Sequence, residues 1–83
     1  MLILLLYIDK RMGKIAFMKV YINGEAEIFN EASTVAALVE KLALNIKKVA
    51  IEINRTIIPR SQYGETLLSD GDQIEIVQFI GGG

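Results

Sequence analysis

Three glycines, Gly81-Gly82-Gly83, follow Val77-Gln78-Phe79-Ile80 and place the chain's terminal carboxylate on Gly83. These are the residues whose type and spacing point most directly to chemistry. A carboxylate is a poor acyl donor, because oxide is a poor leaving group. Attack on the α-phosphorus of ATP converts it into an acyl-adenylate, which a sulfur nucleophile can open. The terminus must then enter a nucleotide site, and glycine lets backbone approach where any Cβ would collide. Gly83 is therefore the candidate reactive residue, and Ile80, Gly81 and Gly82 the tail that gives it access. Residues 80–83 are expected to extend from the domain without stable contacts. On composition alone, the same segment equally suits a frayed or engineered tail.

Other chemistry is poorly provided for. The 83 residues contain neither cysteine nor histidine. That excludes disulfides, Cys/His zinc sites, thiol nucleophiles and Ser-His-Asp triads. Tyr7, Tyr21, Tyr63, Ser33, Ser61 and Ser69 lack a histidine base, and read as packing, caps and turns. Asp70-Gly71-Asp72 lacks the later acidic residue of a calcium loop, so it reads as a turn and no metal site is expected. Lys47-Lys48 reads as a solvated helix end and Arg60 as a solvated loop arginine.

Net charge is −1, which offers no general attraction to nucleic acid. The charge is uneven: residues 1–17 carry Lys10, Arg11 and Lys14 against Asp9, while residues 18–83 carry six bases and nine acids. The acidic part favours a basic protein partner. Met1–Ile8 is apolar but far shorter than the roughly 20 residues a membrane span needs, and it has no signal-peptide flanks. Residues 1–17 are expected to be an N-terminal extension, the alternative being an added strand that covers a sheet edge. A cytoplasmic protein without membrane contact is expected.

The elements that must carry the tail are legible in outline. Lys19–Ile22 and Glu25–Phe29 alternate around Asn23-Gly24, the pair that a type I′ hairpin turn demands. Ser33 or Thr34 can cap a helix whose stripe is Val35, Leu38, Val39 and Leu42, with Asn45 as its stop. Val49–Ile53 is a third strand. Asn54-Arg55 turns into Thr56–Ile58, which Pro59 ends. Residues 60–69 form an irregular crossing, and Gln73–Phe79 is the last strand. This order predicts an α+β domain with one helix across a mixed sheet.

From Met18 to Gly83 the chain resembles the bacterial sulfur carriers of thiamine biosynthesis, the ThiS family. The resemblance rests on Met18-Lys19-Val20-Tyr21-Ile22-Asn23-Gly24-Glu25, Thr34-Val35-Ala36-Ala37-Leu38, and Ile53-Asn54 leading to Ile58-Pro59-Arg60. It continues through Ser69-Asp70-Gly71-Asp72-Gln73-Ile74-Glu75-Ile76-Val77 into Gly82-Gly83. It implies a ubiquitin-like β-grasp fold over residues 18–83, with a mixed four- to five-stranded sheet and one main helix on one face. It also implies a protein co-substrate rather than an enzyme. A ubiquitin-activating-like adenylyltransferase (ThiF) would adenylate Gly83 using its own ATP and Mg, the carrier itself binding no cofactor. A sulfur donor such as a cysteine desulfurase would supply the thiocarboxylate sulfur, and thiazole synthase (ThiG) would take it into the thiazole ring. The small subunit of molybdopterin synthase, carriers for tRNA thiolation, and a β-grasp interaction module with an inert tail are the alternatives.

Strand parity adds a candidate partner surface. Ile74 and Ile76 share one face, matching Val20, Ile22, Ile51 and Ile53 on the helix side. Val77 and Phe79 then fall on the open face, with Tyr21 and Ala50. Given the strand order the resemblance implies, these four are expected to meet, rimmed by Glu27, Glu52 and Glu75. An apolar centre with a charged border is the anatomy of a partner-binding surface.

Overall fold

The computed structural model describes residues 17–80. Its elements, in chain order, are β1 (Phe17–Ile22), β2 (Glu25–Asn30), α1 (Val35–Lys41), β3 (Val49–Ile53), β4 (Thr56–Ile58) and β5 (Gln73–Gln78). The five strands form one sheet in the order β2-β1-β5-β3-β4. The central pair, β1 and β5, is parallel, and the other neighbours are antiparallel. With one helix across a mixed sheet, this is the β-grasp architecture that the resemblance implies. The first and last strands lie at the centre, and β5 has β1 on one side at its start and β3 on the other to its end.

The local signals account for most of the elements. Asn23 and Gly24 have φ of 50° and 86°, the left-handed pair of a type I′ turn. Asn54 and Arg55, with φ of 50° and 71°, repeat that geometry between β3 and β4. Thr34, rather than Ser33, caps α1: its side-chain oxygen accepts from Ala37 N–H at 3.1 Å. The N–H groups of Val35 and Ala36 donate to the carbonyls of Thr66 and Tyr63, both at 2.9 Å. The 60–69 crossing therefore supplies the helix start with acceptors and buries its own Tyr63 and Leu68 in the core.

The helix stops earlier than Asn45. It ends at Lys41, Ala43 adopts φ of 56°, and Leu44 N–H reaches back to the carbonyl of Val39 at 3.0 Å. This left-handed exit turns Leu42 and Leu44 onto the core, which an uninterrupted helix would not do for both. Asn45 instead caps a separate 3₁₀ turn, Ile46–Lys48, by accepting from Lys47 N–H at 2.9 Å. Lys47 and Lys48 therefore belong to that turn. The basic residue at the end of α1 is Lys41, whose Nζ donates to the Ile28 carbonyl at 2.6 Å and lies 4.3 Å from the Phe29 ring centroid.

The core fills the space between α1 and one sheet face. Val35, Leu38 and Val39 from the helix meet Met18, Val20, Phe29, Val49, Ile51, Ile53 and Ile74 from the sheet. Ile22 and Ile76 are partly buried against the same cluster. The alternation read from the strands thus correctly identifies the helix face.

Candidate functional site

The site is built from the far end of β5 outward. Within β5, Gln73 and Ile74 pair with Tyr21 and Ile22 of β1, while residues 74–78 pair with β3. Beyond Ile74 the strand runs past the end of β1. The Phe79 N–H donates to the Lys48 carbonyl at 2.7 Å, continuing the contact with the segment before β3. Ile80, the next residue, is 98% exposed. Gly81, Gly82 and Gly83 lie outside the described residues, as does the whole of 1–16.

The open face carries the parity prediction in part. Val77 and Phe79 are 57% and 52% exposed. Ala50 stands directly beside Val77, and Glu52 beside Glu75. These residues share one face, and Ala50, Glu52, Glu75 and Val77 line one shallow depression of about 110 Å³ with Ile51 and Ile57. The centre is apolar and the two carboxylates border it.

Two expected members are elsewhere. Tyr21 is on the open face, but its neighbours are Gln73 and Ala26. It is thus four residues from Val77 along the strand direction, about 13 Å at the usual rise. The parallel register causes the separation: β1 meets only the start of β5. Glu27 is on the opposite face altogether, since it pairs with Val20 of the core. With a two-residue turn, Ile22 pairs with Glu25 and each step back preserves that match. Glu27 therefore does not rim the patch.

One member was missed. Ile57, 71% exposed, pairs with Glu52 and so extends the apolar surface onto β4. The signal is present in the sequence: once Ile58 is matched with core-facing Ile51 across a two-residue turn, Ile57 must face outward.

Polar side chains around this surface have structural partners. Asn54 Oδ1 accepts from Gln73 N–H at 2.9 Å, and its Nδ2 donates to Asp72 Oδ1 at 3.0 Å. Asp72 Oδ2 accepts from Ser69 N–H at 2.8 Å, and Asp70 Oδ1 accepts from Lys19 N–H at 2.8 Å. The two aspartates tie the last turn to β1 and to Asn54, just after β3. Arg60 Nη2 lies 3.4 Å from the carbonyls of both Lys47 and Val49, so the arginine clips the crossing to the start of β3. A groove of about 410 Å³ beside the patch is lined by Glu52, Asn54, Arg55, Gln73 and Glu75. Among the described residues, no group of three or more acidic side chains is placed to hold a metal ion. No described helix is long and apolar enough to cross a membrane.

Comparison with known proteins places this geometry. The sequence model of the ThiS family matches residues 15–83. A stretch of 66 residues is 36% identical to the sulfur carrier protein ThiS of Escherichia coli (strain K12), covering 80% of this chain and 100% of that one. The same length is 48% identical to part of a thiazole synthase of Paramagnetospirillum magneticum, again 80% of this chain but 20% of that protein. This chain thus corresponds to a minor portion of that synthase. Among solved structures, the thiamine biosynthesis protein (ThiS) of Geobacter metallireducens superimposes with a TM-score of 0.69 at 29% identity. That match covers 80% of this chain and 100% of the other.

Proposed function

Because the chain belongs to the ThiS family, we propose that it is a sulfur carrier of thiamine biosynthesis that works through the carboxylate of Gly83. The observation that carries this reading is the match with the E. coli carrier, which spans that protein's entire length. The fold is consistent with it. Strand β5 ends at Gln78, and only Phe79 and Ile80 stand between it and the three glycines in the sequence.

The chemistry runs in three steps. A ubiquitin-activating-like adenylyltransferase binds Mg-ATP, and an oxygen of the Gly83 carboxylate attacks the α-phosphorus, releasing pyrophosphate. The terminal sulfur of a persulfide on a cysteine desulfurase or related donor attacks the acyl carbon and displaces AMP, and a thiol reductant then cleaves the S–S bond of the resulting acyl disulfide. The resulting thiocarboxylate gives its sulfur to thiazole synthase. The carrier itself is consumed and regenerated, a co-substrate that supplies the acyl group and no catalytic side chain. The similarity to part of a thiazole synthase supports that enzyme as the acceptor, since two functions joined in one polypeptide commonly meet in one pathway. The steps belong to the cytoplasm.

The open face is the proposed recognition surface for the adenylyltransferase. Ala50, Ile57, Val77 and Phe79 provide apolar contact, and Glu52 and Glu75 call for basic residues opposite them. The test is intact mass after incubation with the adenylyltransferase, Mg-ATP and a sulfur donor. Exchange of one terminal oxygen for sulfur adds about 16 Da to the acyl product. An unchanged mass, under conditions that convert the E. coli carrier, overturns the proposal.

A further inference from the structure

The sheet ends on two edges of unequal length. At one, β4 has three residues and Pro59 follows it, so little ladder is left to extend. At the other, β2 has six residues and, among the described residues, no strand beyond it. The backbone groups that β2 turns outward follow from β1. Tyr21 and Asn23 N–H donate to the Asp72 and Ile74 carbonyls at 2.9 and 2.8 Å, so the odd residues of β1 bond β5 and the even ones bond β2. Val20 pairs with Glu27 and Met18 with Phe29, which leaves Ala26, Ile28 and Asn30 to face outward. The Asn30 carbonyl accepts from the Ser33 N–H at 3.2 Å and from the Ser33 hydroxyl at 2.7 Å. The Ile28 carbonyl accepts from Lys41 Nζ at 2.6 Å, and that ammonium stands 4.3 Å from the Phe29 ring centroid. The Ser33 bonds come with the chain reversal after β2. The Lys41 bond is made by a side chain reaching across from the last turn of α1.

We infer that Lys41 closes the β2 edge against a second copy of this chain. An edge strand with free donors and acceptors is a template for another strand, and every copy carries the same one. With the Asn30 carbonyl occupied, two antiparallel β2 strands can still pair about a two-fold axis, Ala26 of each against Ile28 of the other. That pairing needs four bonds, and two of them end on the Ile28 carbonyls. The Lys41 ammonium stands where the incoming N–H must come, and its attraction to the Phe29 ring holds it there. The same pairing sets Glu27 directly opposite Glu27 of the second copy, where like charges oppose association. The inference does not depend on the carrier reading, because it concerns association and not sulfur transfer.

The experiment measures self-association of the full chain by sedimentation over a wide range of concentrations. Lys41→Met keeps an apolar stem on Phe29 and removes the ammonium. It is expected to self-associate about tenfold to a hundredfold more tightly than wild type, since two acceptors per dimer are freed. Lys41→Arg, which still donates, is expected to match wild type. Adding Glu27→Gln to Lys41→Met should tighten association by a further factor of about two to five. Adding Ala26→Pro should return Lys41→Met to wild-type behaviour, because proline removes an outward donor and leaves the bonds to β1 in place. The Ile28 amide gives a reading that needs no proline: in Lys41→Met its hydrogen exchange should slow as concentration rises. If Lys41→Met melts lower yet sediments as wild type does, Lys41 is a plain tie between α1 and β2 and the inference is overturned. A gain in association that survives Ala26→Pro and leaves Ile28 exchange unchanged overturns it equally.

Discussion

The two halves of β5 face opposite demands. Ile74, only 1% exposed in the core, lies between β1 and β3, and Gln73 between β1 and Asn54. Glu75 to Gln78 have β3 as their strand partner on one side alone, and Val77 and Phe79 present more than half their surface to solvent. One continuous strand is thus flanked by strands on both sides at its start and on one side at its end. Ile74 fixes the first half by packing, whereas in the second half Ile76 still rests on the core and Glu75, Val77 and Gln78 point their side chains to solvent. Changes along β5 and into the tail should therefore divide into those that cost folding and those that cost only transfer.

The largest expected effect lies at the tail. Deleting Gly83 should abolish the gain of about 16 Da in the sulfur-transfer assay, because the acyl group would be displaced from the reaction centre. The thermal midpoint should not change. Gly82→Ala should leave folding intact and slow adenylation by adding a Cβ where backbone must pass closely. Normal turnover of that variant would remove the steric argument.

Next comes the buried half. Ile74→Ala removes a fully enclosed side chain from between Ile22 and Ile53, and should destabilise the domain by about 2–5 kcal/mol. For a domain this small, each kcal/mol lowers the midpoint by about 4–8 °C. Val77→Ala, three residues on, should shift stability by about 0.5 kcal/mol or less, as an exposed position does. Equal destabilisation by the two variants in thermal melts would erase the distinction between the halves.

Phe79→Ala tests the exposed half directly. With the ring 52% exposed in the free domain, its removal costs folding little. If the ring becomes an enclosed anchor in the complex, binding to the adenylyltransferase should weaken by about 1–3 kcal/mol, measured by calorimetry. Tyr21→Ala should have a smaller effect on that binding, since the parallel register keeps Tyr21 beside Gln73. A larger loss with Tyr21→Ala would put the recognition surface at the wrong end of the sheet.

How much of this was legible follows from what each feature depends on. Period-2 alternation suffices to assign Val20, Ile51, Ile53 and Ile74 to the core, because facing is a property of each strand alone. Glu27 required one further step: a two-residue turn after Ile22 pairs Val20 with Glu27, so its place on the helix face was recoverable from the hairpin. Ile57 was recoverable by the same count across Asn54-Arg55. The distance between Tyr21 and Val77 was not. It depends on where β5 meets β1, and that register is set by Asp70, Gly71 and Asp72 bonding to Lys19 and Tyr21 across the fold. The early end of α1 was equally hidden, because Ala43 adopts its left-handed conformation to bring Leu42 and Leu44 onto the core, a tertiary demand that overrides local preference.

The smallest expected effect concerns the carboxylates on the exposed half. Glu75 stands directly opposite Glu52, and like charges so placed in a sheet destabilise by about 0.2–1 kcal/mol. Glu75→Gln should therefore stabilise the free domain by that amount in denaturant titrations. The gain should shrink as salt rises, because exposed charges are screened over about 10 Å at 0.1 M ionic strength. The same substitution should slow association with the adenylyltransferase while leaving dissociation nearly unchanged, the signature of a charge at the border of an interface. A carboxylate pair kept at a cost to folding and used for recognition predicts both signs at once. If Glu75→Gln stabilises the domain and association is unaffected, the pair has no role in recognition, and the apolar residues beside it carry the surface alone.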